Sequence, residues 1–404
     1  MINASAAGVI EACRANKDSI GTLYAGQNGI LGALHENLID TSKETPTAVA
    51  SLKHTPGGAF GSCRYKMRDH NEDSSEYERL VEVFKAHNIG YFFYNGGGDS
   101  ADTCLKVSQI AARMNYPLQA IHIPKTIDND LPFTDCSPGF GSVAKYVAVS
   151  TKEASLDIAS MCASSTKIFI LEVMGRHAGW IAASGGLAAE EAGDPPHIII
   201  FPEIPFSRDE FIAKVDATVK DKGYCVVVAS EGAKYADGAL ISGSLHKDAF
   251  GHQQLGGVAQ TLASMVKNSL GHKYHYALAD YLQRSARHIA SKTDVEQAYA
   301  VGKGAVEKAL EGKGGIMVTI ERGTGKKYSW SLGEAPLSKI ANVEKKMPRS
   351  FITKEGFGIT EKAREYFQPL IIGEDYPPYK NGVPQYAKLK NILVQKKLEE
   401  GFKG

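Results

Sequence analysis

The chain has 404 residues, 43% hydrophobic and 23% charged, a globular composition with apolar mass for a large core and, by length, two domains. Its 46 basic and 45 acidic residues leave a formal charge of +1, so no general positive field collects nucleic acid or coats an anionic membrane, and a bound anion needs a local site. No stretch reaches the roughly 18 apolar residues of a membrane span, and the N-terminus lacks the basic start and apolar run of a secretory signal, so a cytoplasmic location is expected. Six cysteines, at 13, 63, 104, 136, 162 and 225, form no Cys-x-x-Cys pair and read as reduced, structural thiols.

Residues 4–15 read as an apolar-faced helix. An α/β chain usually opens on a strand, so either the fold begins with a helix or the sequence has lost its beginning. Gly57-Gly58-Ala59-Phe60-Gly61-Ser62-Cys63-Arg64 is a flexible turn ending in a cation, or a plain connector. Apolar runs at 89–94, 118–123, 167–173, 197–201, 224–229 and 315–320 read as strands covered on both faces. Between the first two, Cys104, Val107, Ala111 and Met114 share a helical face that stops at Asn115-Tyr116-Pro117. Ser207 with Glu210, and Thr293 with Glu296, have the spacing of capping boxes. The Lys-rich end, with Lys388, Lys390, Lys396 and Lys397 beside Leu389, Ile392, Leu393 and Leu398, predicts a surface helix with a solvated basic face, or a contact with another subunit. Strands alternating with helices predict an α/β protein built on parallel sheets.

Chemistry concentrates at the ends of these strands. The first runs into Gly96-Gly97-Gly98-Asp99-Ser100, where glycines let backbone N–H groups approach a ligand and the following helix, capped by Ser100, adds positive potential for phosphate; a tight β–α turn without ligand is the alternative. The second ends in Pro124-Lys125-Thr126-Ile127-Asp128-Asn129-Asp130, two carboxylates and an ammonium in one loop, unless this is only a turn. Ligands of open parallel sheets sit at the carboxyl ends of strands, so both loops should face one crevice. Later ends supply Met174-Gly175-Arg176, Pro202-Glu203 and Tyr281-Leu282-Gln283-Arg284, where an Arg fork suits phosphate and Glu203 can accept from sugar hydroxyls. No two-His helix motif, Gly-x-Ser-x-Gly elbow or Walker lysine loop is present, which removes metalloprotease, serine hydrolase and P-loop readings.

Taken in order, these strings, with Pro-Gly-Phe-Gly-Ser at 138–142 and Met-Gly-Arg-His-Ala-Gly-Trp at 174–180, resemble the phosphofructokinase family over about residues 1–320. The resemblance implies two Rossmann-like parallel-sheet domains with the active site in the cleft between them, assembled as a homo-oligomer (dimer or tetramer), and Mg²⁺-dependent phosphorylation of fructose 6-phosphate at its 1-hydroxyl. It divides the chain into a donor-phosphate domain over 1–137 joined by a late segment near 290–350, a sugar-phosphate domain over 138–289, and an extension over 351–404. By the same resemblance Asp128 is the general base and Thr126 orients the substrate beside Ile127. Met174, Gly175, Arg176, Glu203 and Tyr281 bind the sugar, Arg284 grips its 6-phosphate, Arg64 stabilises the transferring group, and Lys167 reaches a neighbouring subunit's sugar phosphate.

The donor follows from two positions. ATP-using members resemble glycine where this chain has Asp99 and Lys125. Asp99 crowds and repels an α-phosphate, whereas Lys125 supplies charge to a leaving phosphate, so pyrophosphate is the expected donor over ATP. One such desolvated contact is worth on the order of 2 to 4 kcal/mol, enough to choose between donors. Two departures from the family are notable. Gly98 stands where a side chain usually helps hold Mg²⁺, leaving Asp99 and Asp130 as candidates for the metal, and the opening strand and Gly-rich loop usual before Ile2 are missing, so a truncated start or a catalytically silent subunit is the competing expectation.

Overall fold

A computed structural model describes residues 1–242 and 255–402. The chain opens with α1 (Ile2–Ala15), β1 (Tyr24–Gly26), α2 (Ile30–Leu34), β2 (Leu38–Asp40), α3 (Pro46–Ser51) and α4 (Ser75–Ala86). Strands and helices then alternate through β3 (Tyr91–Gly96), α5 (Gly98–Arg113), β4 (Gln119–Pro124), α6 (Phe140–Met161), β5 (Ile168–Val173), α7 (Trp180–Ser184), β6 (Ile198–Ile200), α8 (Arg208–Lys222), β7 (Cys225–Ser230), α9 (Val258–Leu270), β8 (Tyr274–Leu278) and α10 (Asp280–Ser285). Last come α11 (Lys292–Leu310), β9 (Ile316–Arg322), β10 (Trp330–Pro336), α12 (Glu361–Phe367), β11 (Tyr379–Lys380) and β12 (Val383–Pro384).

Two four-stranded sheets carry the architecture. The first has the order β10-β9-β4-β3, so a late segment completes a sheet that early strands begin. The second has the order β6-β7-β5-β8 and is parallel throughout. All six predicted strands are present. Their apolar runs reflect burial on both faces: every residue of β6 and β7 is buried. The purely parallel expectation is corrected at one edge, where β10 runs antiparallel to β9. The sequence Trp-Ser-Leu-Gly-Glu-Ala-Pro of β10 carries the Gly and Pro that only an edge tolerates, which hid it from a search for apolar runs. Edge strand β8, Tyr-His-Tyr-Ala-Leu, is half exposed and escaped because its aromatic and His residues make no continuous apolar run.

A continuous core joins the two sheets, with Ile121 and Ile123 of β4, Val173 of β5, Trp180 of α7 and Phe367 of α12 packed in one cluster. Against it α1 crosses α11 with backbones in contact: a Cβ on Gly302 would stand 2.0 Å from the Ser5 carbonyl oxygen, and one on Gly8 2.2 Å from that of Tyr299. The six cysteines are free thiols, as expected. Among the described residues, no helix is long and apolar enough to cross a membrane.

Helix caps match the sequence reading once and shift twice. Ser207 accepts the Glu210 amide at 3.4 Å. The expected cap at Thr293 falls instead on Ser291, whose hydroxyl accepts the Asp294 amide, because Asp294 itself is drawn inward to accept the amides of Gly139 (2.8 Å) and Ser142 (3.0 Å). Ser100 lies within the first turn of α5, and Gly97 occupies the cap position.

The basic C-terminal helix does not form. Residues 385–398 are extended, and Ile392 and Val394 exchange backbone hydrogen bonds with Asp40 and Leu38, each at 2.9 Å, beside β2. Glu44 accepts the amides of Lys390 and Asn391, and the buried Glu36, paired with His87, accepts those of Lys397 and Leu398. Two buried carboxylates thus bind backbone donors that a helix would consume internally, and Asn391 sits at a left-handed φ of 50°.

Candidate active site

Parallel register sets the site. Gly96 at the end of β3 pairs with Pro124 at the end of β4, and the Lys125 amide donates to the Gly96 carbonyl at 2.9 Å. The glycine turn and the Lys125–Asp130 loop therefore leave the sheet side by side. Gly96 is required because a Cβ there would lie 2.1 Å from the Ser100 hydroxyl, and one on Gly97 would come within 3.9 Å of Thr126. A Cβ on Gly98 would meet nothing within 4 Å. Asp99 is exposed in the first turn of α5.

Within the second loop the Thr126 hydroxyl accepts the Asp128 amide at 3.1 Å and donates to its carboxylate at 3.4 Å. Burial raises the Asp128 pKa against the opposing pull of Thr126, Lys125, Arg176 and His177. Asp130 is pushed up to about 7 by burial and then by Asp128, and its Oδ1 is buried without a hydrogen-bond partner. Lys125 is pulled below its ordinary value by burial and by Arg284, opposed by Asp128 and Asp130. Ile127 packs against the core and against Gly139.

The second sheet brings its own strand ends to the same place. Gly175, after β5, adopts a left-handed φ of 134°, and its carbonyl accepts the Ser230 hydroxyl at 2.6 Å, which leaves Arg176 beside Asp128. The Met174 amide donates to Gln283 of α10 at 3.2 Å. In that helix the Arg284 guanidinium stacks over Tyr281 at 4.2 Å. Glu203 accepts the Gly179 amide at 2.8 Å, and its other oxygen is buried without a partner.

One acidic residue escaped the sequence reading. Glu231 follows β7, its pKa pushed up to about 7 by burial, with Asp128 adding to the shift and the Gly175 N–H and Arg176 opposing it. It lines a cavity of about 400 Å³ with Glu172, Met174, Gly256, Gly257 and Gln283. Its signal was Ser-Glu-Gly directly after a predicted strand, the same position that singled out Asp128 and Arg176.

One predicted residue stands apart. Lys167 precedes β5, at the end of that strand opposite Met174, and its amine donates to the Cys162 carbonyl at 2.7 Å. Arg64 is exposed in the extended segment 61–70.

A glycine turn and a Lys-Thr-x-Asp loop at the end of one α/β sheet, with Arg176 and Arg284 of the other beside them, are the groups of a phosphotransferase of Rossmann-like class. Residues 1–309 match the model of the phosphofructokinase family, and the chain belongs to that family. It is 64% identical over 400 residues to the pyrophosphate–fructose 6-phosphate 1-phosphotransferase of Halomonas elongata, covering 99% of this chain and 96% of the relative. The crystal structure of the pyrophosphate-dependent phosphofructokinase from Marinobacter aquaeolei superposes with a TM-score of 0.92 at 64% identity, covering 100% of this chain and 96% of the other. The Pichia pastoris phosphofructokinase shares the fold alone, at 20% identity and a TM-score of 0.64 over 84% of this chain and 36% of its own.

Proposed function

We propose that this chain transfers a phosphoryl group from pyrophosphate to the 1-hydroxyl of fructose 6-phosphate, reversibly, giving fructose 1,6-bisphosphate and phosphate. The observation that carries this reading is Lys125, an ammonium set in a half-buried loop between Asp128, Asp130 and Arg284 and beside the glycine turn, where a leaving phosphate develops charge. The close relatives in Halomonas elongata and Marinobacter aquaeolei, named for pyrophosphate, support it.

Asp128 accepts the proton of the 1-hydroxyl as that oxygen attacks the nearer phosphorus of pyrophosphate. The bond from that phosphorus to the bridging oxygen breaks, its electron pair leaves with phosphate, and Lys125 balances the charge. Thr126 fixes the carboxylate of Asp128 through its hydroxyl. Met174, Gly175, Arg176, Glu203, Glu231 and Tyr281 face the sugar, Arg284 its 6-phosphate, and Arg64 the transferring group.

Mg²⁺ belongs to this proposal, and its donor set fits. The unpartnered buried oxygen of Asp130, beside Asp128, suits a hard cation that takes one or two carboxylates and completes its shell with substrate phosphate, with Asp99 as the second candidate. When bound, such an ion neutralises phosphate charge.

Donor phosphate is assigned to 1–137 with the segment near 290–350, sugar phosphate to 138–289, and 351–404 forms a C-terminal extension. The proposal includes a cytoplasmic location and a homo-oligomer in which Lys167 serves a neighbouring site. Steady-state assays of the full chain with pyrophosphate and with ATP test the central reading. Turnover with pyrophosphate is expected; turnover with ATP alone overturns it, and turnover with neither identifies a silent subunit.

A further inference from the structure

The loop that carries Asp128 is held from behind by a residue of the late segment. Asn129, wholly buried and at a left-handed φ of 54°, makes the turn between Asp128 and Asp130. Its side-chain oxygen accepts the Ser137 amide at 3.0 Å and the Lys345 ammonium at 3.2 Å, while its amide nitrogen donates to the Tyr366 hydroxyl at 3.1 Å. Lys345 makes further bonds to the same loop: the ammonium donates to the carbonyls of Thr134 (3.1 Å) and Asp135 (3.0 Å), and its backbone N–H to that of Asp130 (2.6 Å). Its own carbonyl accepts the Trp180 indole N–H at 3.2 Å, and the ammonium stands 5.2 Å over the Trp180 ring. Trp180 opens α7, directly after the Met174–Gly179 turn of the second sheet.

We propose that Lys345 is a positioning residue: it clamps the turn 128–130 of the first sheet and ties it through Trp180 to the sugar-facing turn of the second. This rests on the reading of Asp128 as base. One residue bonds both sides of the cleft, so the distance between the proton acceptor and the sugar is fixed by its five hydrogen bonds rather than by the loop alone. Three carbonyl or amide acceptors match the three donors of an ammonium, a geometry that no neutral side chain of similar length reproduces. Misplacement of a catalytic group by about 1 Å can cost on the order of 10²-fold in rate, and a misplaced base shows in kcat rather than in KM.

Lys345→Met and Asn129→Ala, singly and together, test the clamp, with turnover on pyrophosphate, tryptophan emission in a Trp330→Phe background and hydrogen exchange of the segment 126–137 as readouts. The expected result for Lys345→Met is a kcat lowered roughly 30-fold with KM for fructose 6-phosphate within about 3-fold, a shifted Trp180 emission and faster exchange across 126–137. The double variant is expected to lose no more than the worse single, because both act through one turn. Multiplicative losses, an unchanged kcat, or unchanged exchange of the loop overturns the clamp. If the wild-type chain lacks turnover, the reading of Asp128 fails by itself, and exchange and emission still decide whether Lys345 holds the loop. Should Lys345→Met not fold, Lys345→Gln, which keeps a polar head but offers two side-chain donors in place of three, gives the exchange measurement in its place.

Discussion

Glu231 and Asp128 leave different sheets, yet one acts on the other: each is half-buried after a strand, and the charge of Asp128 adds to the upward shift of Glu231 to about 7. Arg176 acts on both, so the three form one charged unit across the cleft. Glu231→Gln keeps the shape and the hydrogen bonding and removes the charge. It is expected to raise KM for fructose 6-phosphate by roughly tenfold with a smaller change in kcat, the pattern of lost ground-state binding. A kcat-only effect in steady-state kinetics contradicts a sugar-facing role.

Asp128→Ala is expected to lower kcat by roughly 10²- to 10⁴-fold while sugar phosphate still binds, because it removes a proton acceptor and no main-chain contact. Retention of more than about a tenth of the rate contradicts its role as base. The sign of the pH effect is fixed by burial, which raises the Asp128 pKa above 3.8. The base works only when ionised, so the acid limb of kcat/KM should fall at a higher pH than an exposed aspartate gives. A profile that stays flat down to the ordinary carboxylate range excludes it.

Lys125→Gly is expected to reduce kcat with pyrophosphate more than it weakens sugar phosphate binding, since the ammonium meets charge that develops on the leaving phosphate. An unchanged rate removes Lys125 from the chemistry.

At Gly98 a side chain would enter open space, so Gly98→Asp is expected to fold as the parent does. It places a carboxylate beside Asp99 at the mouth of the glycine turn. Titrating the rate against Mg²⁺ should show half-saturation at a lower concentration than in the parent. The same titration with a weaker dependence refutes a metal-facing position.

Most of the fold and about half of the site could be read before any coordinates, and the division has physical causes. Strands with unbroken apolar runs announce themselves, so β3 to β7 and β9 were visible, and their ends pointed to Lys125, Asp128, Met174, Arg176 and Glu203. Edge strands β8 and β10 are partly exposed, carry no unbroken apolar run and stayed hidden. Lys345 and Tyr366 lie more than two hundred residues from Asn129, and no local pattern predicts that a lysine in an irregular segment finds three acceptors in an earlier loop. The C-terminal residues misled for the opposite reason: a helical spacing of leucines and lysines was overruled by Glu36 and Glu44, whose buried oxygens take main-chain donors from an extended strap.

That strap has a pH dependence of known sign. Burial raises the Glu36 pKa, but the amides of Lys397 and Leu398 and the ring of His87 outweigh it and bring it below 4.5. A carboxyl depressed in the folded state stabilises it above its unfolded pKa, and that contribution disappears as pH falls through the folded value. Acid is therefore expected to loosen residues 385–398 ahead of the rest. Glu36→Gln should do the same at neutral pH, read as earlier tryptic cleavage within the Lys388–Lys397 stretch. Equal cleavage in parent and variant negates the carboxylate's part.

The crossing of α1 over α11 can be probed by Gly302→Ala, whose methyl group would stand 2.0 Å from the Ser5 carbonyl oxygen. Overpacking of this kind costs about 1–3 kcal/mol, and thermal unfolding should show it. An unshifted midpoint would mean that the helices separate freely.

The strand order β10-β9-β4-β3 also bears on how the molecule comes into being on the ribosome. β4 emerges long before β9, its eventual neighbour, whereas β5 to β8 emerge in one uninterrupted stretch. The half with contiguous strands can close during synthesis, and the other waits, with one flank of β4 unpaired, until nearly the whole polypeptide has been translated. Nascent chains interrupted between residues 290 and 315 would expose that flank to neighbours, which makes this interval the one in which chaperone protection counts most.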